Sequence, residues 1–168
     1  RGNNKNKIFQ EEADYKKFLF YLQLIKERYP FHILSFCLMS NHIHIQIETK
    51  DHSISQIMQH LLTLYSKYYN NKYNLVGHVF QGRYHAEIIE NEAYLLQTSR
   101  YIHLNPVKAK MVEKPIDYPW SSYTKFMDKK KWNLVNDTRI LNYFPDNCRK
   151  QYKEYVERKI LEEDVFTE

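Results

Sequence analysis

Apolar residues recur with helical spacing in two long segments of the chain. The first segment covers residues 11–28, and Pro30 ends it. Its apolar stripe consists of Tyr15, Phe18, Leu22 and Ile25. The second segment begins at Ser53, and Gln56 three residues later completes a capping-box pattern. Its apolar stripe consists of Ile54, Ile57, Met58, Leu61, Leu62 and Tyr65. We therefore predict two amphipathic helices, the second ending at Asn70-Asn71.

Two strands are predicted between these helices. Residues 31–39 form the first, and the Ser40-Asn41 turn leads into the second, residues 42–48. Polar and apolar residues alternate in the second strand, which separates its side chains onto two faces. One face carries His42, His44 and Gln46, and the other carries Ile43, Ile45 and Ile47. We expect the isoleucine face to be buried and the histidine face to be solvent-exposed or a site.

The remaining pattern predicts an α+β protein. A third strand is expected near residues 83–90, followed by a helix capped by Asn91. Pro106 disfavours helical geometry at Asn105, so we expect the helix to stop or kink there, or a new short helix to open at Pro106. Further helices are expected near residues 137–143 and 146–161. The order fits a ferredoxin-like antiparallel sheet with helices on one face and a helical C-terminal tail.

That fold requires one more strand before the first helix. The chain begins directly at Arg1-Gly2-Asn3-Asn4, with no such strand. An exposed sheet edge is a liability, so we expect either a fragment or another element that covers the edge.

Composition narrows the class of protein only modestly. A length of 168 residues suits one domain, and no apolar run is long enough to cross a membrane. The two cysteines form no CxxC pair, which favours a reducing cytoplasm. A net charge of +5 favours a polyanionic partner, although a mildly basic soluble enzyme explains it equally well. The 15 tyrosines suit base stacking or a core with hydroxyls at its edge.

Two imidazoles on one strand face are half of a metal site. Neutral imidazole is a good ligand for Mn²⁺ or Zn²⁺, and two such ligands cannot close a structural zinc site. A third amide or carboxylate ligand would leave room for phosphate oxygens, which is a catalytic pattern. The alternative is a chance pair, since the chain has 8 histidines.

A tyrosine and an amide lie one helical turn apart near the end of the third predicted helix. Tyr94, Thr98, Tyr101 and Asn105 share a semi-polar stripe. A tyrosine hydroxyl beside a metal site can attack a phosphodiester covalently. Core packing of Tyr101 and helix capping by Asn105 are the alternatives.

Two of these segments together resemble a known family. Residues 37–44, Cys-Leu-Met-Ser-Asn-His-Ile-His, resemble the histidine motif of the HUH nucleases, and residues 100–107, Arg-Tyr-Ile-His-Leu-Asn-Pro-Val, resemble their tyrosine motif. The segments at residues 1–4, 80–84 and 118–123 are similar to flanking landmarks of the single-tyrosine transposases. The REP-associated tyrosine transposases are the nearest match, over most of residues 1–125.

The resemblance implies a metal-dependent transesterase that nicks single-stranded DNA beside a hairpin through a 5′-phosphotyrosine intermediate. Tyr101 would be the nucleophile, and His42, His44 and Asn105 would bind Mg²⁺ or Mn²⁺. The implied DNA-binding residues are Arg1, Asn3, Gln81, Arg83, Arg100, Lys108 and Lys110. A solvated charged face is the alternative reading for the two lysines. The run Lys129-Lys130-Lys131 is predicted to be a surface turn.

The resemblance also implies a catalytic domain over residues 1–125 and a helical extension over residues 126–168. We expect a cytoplasmic, nucleoid-associated protein that binds hairpin DNA and can form a homodimer. Two alternative functions stay open. One is a non-catalytic nucleic-acid-binding module, and the other is a metal phosphodiesterase that uses water in place of Tyr101.

Overall fold

The computed structural model describes residues 1–128 and 133–158 and has a mixed α+β architecture. Strands β1 and β2 pair in a two-stranded sheet, which their short connection makes antiparallel. The elements in chain order are a 3₁₀ turn Asn3–Lys5, α1 Glu12–Arg28, β1 Phe31–Leu38, β2 Ile43–Thr49, α2 Ile54–Tyr73, α3 Glu92–Lys108, a 3₁₀ turn Pro115–Asp117, α4 Tyr123–Met127, α5 Thr138–Leu141 and α6 Cys148–Glu157. The predicted fold class, an antiparallel sheet combined with helices, is confirmed.

Within the described ranges, no helix has both the length and the apolar character needed to cross a membrane. The Lys129-Lys130-Lys131 run and the last part of the predicted helix 146–161 lie outside the described residues.

The chain divides into two compact units. The first comprises residues 1–32, 38–43 and 48–87, and the second comprises residues 33–37, 44–47 and the described residues from Ile88 onward. Each unit therefore contains parts of both strands of the sheet. The first unit carries α1 and α2, and the second carries α3 and the shorter helices.

Aromatic packing builds the core of the first unit. The ring of Phe9 stacks on that of Tyr15 with centroids 4.4 Å apart. The fully buried ring of Tyr65 from α2 lies 5.2 Å from that of Phe18 on α1. The Tyr65 hydroxyl donates a hydrogen bond of 2.5 Å to the carbonyl of Ile8, so this buried hydroxyl has a hydrogen-bond partner. Packing of α1 on α2 thus also holds the N-terminal segment.

Helix α2 begins as the capping box predicts. The Ser53 hydroxyl accepts from the Gln56 amide at 3.3 Å, and the Gln56 side chain accepts from the Ser53 amide at 3.2 Å. Its C-terminal end differs from the prediction, because the helix continues past Asn70 to Tyr73. Asn74 then ends it in the left-handed conformation, with φ of 51°.

The predicted strand near residues 83–90 is wrong, because these residues have no strand structure. Pairing occurs a few residues earlier, where Gly2 and Phe80 form an isolated antiparallel bridge. The side chain of Ile88 is 83% exposed, so the β-forming residues of this segment bury too little surface to offset the entropy of ordering.

Helix α3 begins at the predicted cap but runs through the predicted stop. The Asn91 side chain accepts from the Tyr94 amide at 2.8 Å. Pro106 lies inside the helix, which continues to Lys108, so the expectation that the helix stops at Asn105 is wrong. The amide of Ala109 still bonds to the carbonyl of Asn105 at 2.9 Å. Burial of Ile102, Leu104 and Pro106 favours this geometry over the local cost of proline.

A buried histidine joins three elements of the second unit. His103 of α3 is fully buried, with Nε2 2.8 Å from the Ser122 hydroxyl and Nδ1 2.7 Å from the Tyr152 hydroxyl. The Ser122 hydroxyl donates to the carbonyl of Phe36, so it accepts the proton of His103 Nε2. Burial lowers the pKa of His103 from 6.5 to about 3, which keeps the imidazole neutral in the folded state.

This pKa predicts a loss of stability in mild acid. As pH falls below 6.5, the unfolded chain binds a proton on His103 that the folded chain does not bind, so stability is lost down to about pH 3. At pH 4.5 we expect this group to cost about 2–3 kcal/mol of unfolding free energy relative to pH 7. Urea unfolding of the parent and of His103→Gln at both pH values measures the effect. A parent–variant difference that does not change with pH would contradict it.

Candidate active site

The polar face of β2 is held against helix α3 by a buried glutamine. Gln46 is 3% exposed, and its side-chain oxygen accepts from the Ser35 hydroxyl of β1 at 2.8 Å. Its Nε2 atom donates to the carbonyl of Leu95 on α3 at 3.0 Å. One amide therefore joins both strands to the helix and places α3 on the face that carries His44.

The expectation of a buried isoleucine face is wrong. Ile43, Ile45 and Ile47 are each half-buried, whereas Gln46 on the opposite face is the buried residue of the strand. Alternation assigns side chains to faces, but which face is covered depends on where α3 packs.

His44 and Tyr101 are in direct contact in the second unit. Their ring centroids lie 5.5 Å apart with an interplanar angle of 86°, so one ring meets the other edge-on. The Nε2 atom of His44 is shielded from solvent. The structure therefore brings together a histidine and a tyrosine that are more than fifty residues apart in the sequence.

Asn105 lies one helical turn after Tyr101 and is 7% exposed. Its Nδ2 atom donates to the carbonyl of Tyr101 at 3.0 Å, which explains how a polar side chain is accommodated within the helix. This bond fixes the amide so that Oδ1, the atom able to bind a cation, is not the one engaged with the helix backbone.

His42 lies in the first unit and is oriented by its neighbour. Its Nδ1 atom is 2.6 Å from the side-chain oxygen of Asn41. The Nε2 atom of His42 is shielded from solvent, as is that of His44. Among the described residues no group of three His, Cys, Asp or Glu side chains could hold a metal ion. The third ligand expected from the sequence is the side-chain amide of Asn105, which is not one of these four residue types.

Two of the segments that resemble family landmarks, residues 1–4 and 80–84, are neighbours in the first unit. The backbone N–H of Asn3 donates to the carbonyl of Val79 at 2.9 Å, and the backbone N–H of Gln81 donates to the carbonyl of Arg1 at 2.9 Å. Arg1, Asn3, Gln81 and Arg83 all have exposed side chains. Four of the predicted DNA-binding residues therefore lie on two segments that this pairing links.

The remaining predicted DNA-binding residues lie on or near α3. The Lys108 ammonium is 5.0 Å from the centre of the Tyr101 ring, a cation–π contact that places a positive charge beside the tyrosine. Lys110 follows the helix in a left-handed conformation and is exposed.

Arg100 differs from the other cations because it is buried, with 2% exposure. Its Nε donates to the carbonyl of Tyr155 and its Nη2 to that of Arg158, each at 2.9 Å. The guanidinium thus binds the C-terminal end of α6, where carbonyls lack helical partners. This is a structural role, and we do not include Arg100 among the proposed DNA contacts.

The sequence interpretation missed two residues that orient the candidate site. The sequence identifies Gln46 only as a third polar residue on the strand face, and Asn41 only as part of a turn. Gln46 stands at the strict alternation position after His44, which was an available signal. No sequence signal indicated the contact of Asn41 with the Lys5 carbonyl, which is remote in sequence.

An open cleft of about 470 Å³ lies in the first unit beside the paired landmarks. Its lining is rich in amides and contains no carboxylate. The lining residues are Asn3, Asn6, Lys7, Gln10, Tyr69, Asn70, Leu75, Val76, His78 and Val79.

Comparison with known proteins identifies the family. A sequence model described as "Transposase IS200 like" matches residues 1–105. The chain belongs to this family of IS200-like transposases.

Two further proteins are similar to the chain. A Haemophilus influenzae protein that carries the provisional name REP-associated tyrosine transposase is 28% identical over 109 residues. The match covers 58% of this chain and 61% of that protein, so the chain spans about three fifths of its length. A solved structure described as the REP-associated tyrosine transposase bound to a REP hairpin superposes with a TM-score of 0.62 at 21% identity. It covers 73% of this chain and 72% of its own, which establishes a shared fold.

The Gln46 bridge generates a stability prediction. Gln46→Ala would leave the Ser35 hydroxyl without its buried partner and would break the tie to α3. We expect a loss of about 1–3 kcal/mol in unfolding free energy, measured by urea denaturation. Gln97→Ala is the control, because Gln97 is exposed on α3 and its replacement should change stability by less than about 0.5 kcal/mol. Equal effects of the two variants would contradict the bridge.

Proposed function

We propose that this protein is a metal-dependent transposase that nicks single-stranded DNA beside a hairpin through a covalent bond to Tyr101. The observation that carries the proposal is the edge-on contact of His44 with Tyr101, in a chain of the IS200-like transposase family. Asn105 one turn later supplies an amide beside the same tyrosine.

In the proposed reaction, the Tyr101 oxygen attacks the phosphorus of the scissile phosphodiester. The new bond joins the phenolic oxygen to phosphorus, and the bond from phosphorus to the 3′ oxygen breaks. The phenolic proton leaves and the 3′ oxygen is protonated, so the products are a 5′-phosphotyrosine and a 3′-OH. Because one ester replaces another, a later attack by a 3′-OH can reverse the step without a nucleotide cofactor.

The residues present fit the donor chemistry of a Mn²⁺ site better than that of a Mg²⁺ site, because imidazole nitrogen is a poor ligand for Mg²⁺. Asn105 Nδ2 is engaged with a helix carbonyl, which leaves Oδ1 as the candidate ligand. His42 Nδ1 is engaged with Asn41, which leaves Nε2. We propose these two atoms and His44 Nε2 as the ligands, since imidazole nitrogen and amide oxygen suit Mn²⁺. A bound ion would polarise the phosphate and neutralise the charge that develops on it.

We propose that DNA follows the exposed polar side chains of the paired landmarks. Arg1 and Arg83 carry the charge there, and Asn3 and Gln81 supply hydrogen-bonding groups. Lys108 and Lys110 would contact phosphates near Tyr101. The amide-rich cleft without carboxylates suits an unpaired nucleotide next to the hairpin. The structural relative is a REP-associated tyrosine transposase bound to a REP hairpin, which supports a hairpin partner for this chain.

Replacing the nucleophile tests the covalent step. Tyr101→Phe removes the attacking oxygen but keeps the ring and its contact with His44. We expect cleavage of labelled single-stranded hairpin DNA and the covalent protein–DNA adduct both to fall below detection, with DNA binding within about threefold of the parent. A denaturing gel detects the adduct, and a filter-binding assay measures DNA affinity.

Tyr94→Phe is the matched control, because Tyr94 is half-buried on the same helix and should leave the adduct intact. If Tyr101→Phe still cleaves and neither protein forms an adduct, a water-using phosphodiesterase is the correct function. If the parent never cleaves, a non-catalytic nucleic-acid-binding module is the correct function. An adduct that persists in Tyr101→Phe but vanishes in Tyr94→Phe would mean that Tyr94 is the nucleophile.

Removing the imidazoles tests the metal site. The double variant His42→Ala/His44→Ala should lose at least tenfold in Mn²⁺ affinity, measured by calorimetry, and should lose cleavage with it. The side chain of His85 is 86% exposed, so His85→Ala is the matched control and should bind Mn²⁺ like the parent. Unchanged affinity in the double variant would rule out these ligands.

A further inference from the structure

We propose that Asn41 is a positioning residue that sets the tautomer of His42. The N-terminal turn Asn3–Lys5 in turn fixes the orientation of the Asn41 side-chain amide. This inference rests on the proposed metal site, because a ring nitrogen must offer a lone pair to bind a cation. The contacts that carry it all lie within the first unit.

The orientation of the Asn41 amide follows from its partner on the turn. Asn41 Nδ2 donates to the backbone carbonyl of Lys5 at 3.3 Å. A carbonyl can only accept, so rotating the amide by half a turn would set two oxygens against each other. The side-chain oxygen of Asn41 must therefore face His42.

The tautomer of His42 follows from that oxygen. Asn41 Oδ1 lies 2.6 Å from His42 Nδ1, and a side-chain carbonyl oxygen can only accept, so Nδ1 carries the proton. In the neutral imidazole, Nε2 then carries the lone pair, which is the form a metal ligand needs. Histidine ligands commonly donate their second ring nitrogen to such an acceptor, and its removal weakens metal binding. Without the acceptor oxygen, Asn41 would no longer favour protonation of Nδ1 over protonation of Nε2.

The position of the Lys5 carbonyl is set by the backbone of the turn. Asn4 and Lys5 both have left-handed conformations, with φ of 52° and 60°. The Lys5 amide bonds to the Gly2 carbonyl at 3.0 Å, and the Gly2 amide bonds to the Asn41 carbonyl at 2.7 Å. The turn and Asn41 are therefore joined twice, once through the backbone and once through the side chain.

Gly2 is required by the closeness of this packing. A Cβ atom at Gly2 would lie 2.1 Å from the carbonyl oxygen of Asn6 and 2.9 Å from Cγ2 of Ile8. Both distances are far below contact, and the first involves backbone, so any side chain would displace the turn. Gly2→Ala consequently offers a way to disturb Asn41 without changing either Asn41 or His42.

Nitrogen-15 spectra of the histidine side chains in the metal-free protein test the tautomer directly. In the parent, we expect His42 Nδ1 to show the shift of a protonated ring nitrogen and Nε2 that of an unprotonated one. Asn41→Ala should give averaged shifts for the two nitrogens. Gly2→Ala should move the shifts towards those of Asn41→Ala. Asn71→Ala, at an exposed position of α2, is the control.

Mn²⁺ affinity of the same variants by calorimetry gives the second readout. Asn41→Ala should bind Mn²⁺ about 10–100-fold more weakly than the parent. Backbone amide spectra confirm that each variant is folded.

The two readouts separate this inference from the proposed function. If the parent binds no Mn²⁺, the proposed metal site fails, and the spectra alone decide the role of Asn41. If Asn41→Ala leaves the His42 tautomer unchanged, the inference is overturned, whether or not affinity falls. If Asn41→Ala alters the tautomer but keeps the parent Mn²⁺ affinity, the role of Asn41 is supported, and His42 is ruled out as a ligand of the proposed metal site.

Discussion

The candidate site depends on one buried side chain, Gln46. A lone amide on the polar face of β2 would be costly to bury, but Gln46 is satisfied by the Ser35 hydroxyl and the Leu95 carbonyl. That pairing makes a polar strand face compatible with a covering helix. With α3 held there, the ring of Tyr101 reaches that of His44, and a sequence separation of 57 residues becomes a distance of 5.5 Å between ring centres.

Helix α3 presents Tyr101 and Asn105, two residues of the candidate site, because it continues through Pro106. A helix that stopped at Asn105 would leave this amide at a terminus, bonded to backbone or solvent as a cap. In the continuous helix, Asn105 is buried and its Nδ2 is bound to the carbonyl of Tyr101. The amide oxygen is thus held in a defined direction relative to the tyrosine. Packing of the residues around the proline overcomes a local preference against this conformation.

The same helix also shows how one motif divides between structure and chemistry. Arg100 and His103 flank the proposed nucleophile, and both are buried. Arg100 binds the last carbonyls of α6, and His103 links Ser122 to Tyr152. These contacts anchor two sides of α3. The stripe of the helix that carries Tyr101 and Asn105 then belongs to the candidate site. Neighbouring residues of a functional motif can therefore be required for quite different physical reasons.

Much of the local structure follows from the sequence alone. Capping at Ser53 and Asn91, the apolar stripes of α1 and α2, and the division of β2 into two faces all depend on contacts within a few residues. The sequence alone likewise identifies the motif residues, which are His42, His44, Tyr101 and Asn105. Their pairing across the chain was implied only by resemblance to a family.

The tertiary structure decided which strand face is covered, whether Pro106 ends a helix, and whether residues 83–90 form a strand. It also decided that Arg100 faces α6 and that Asn41 faces the N-terminal turn. Periodicity and capping describe short-range geometry, whereas each of these outcomes depends on a partner that is distant in the chain. A distant partner leaves no mark in the local pattern, because its contribution arises only when packing and hydrogen bonding bring the two segments together.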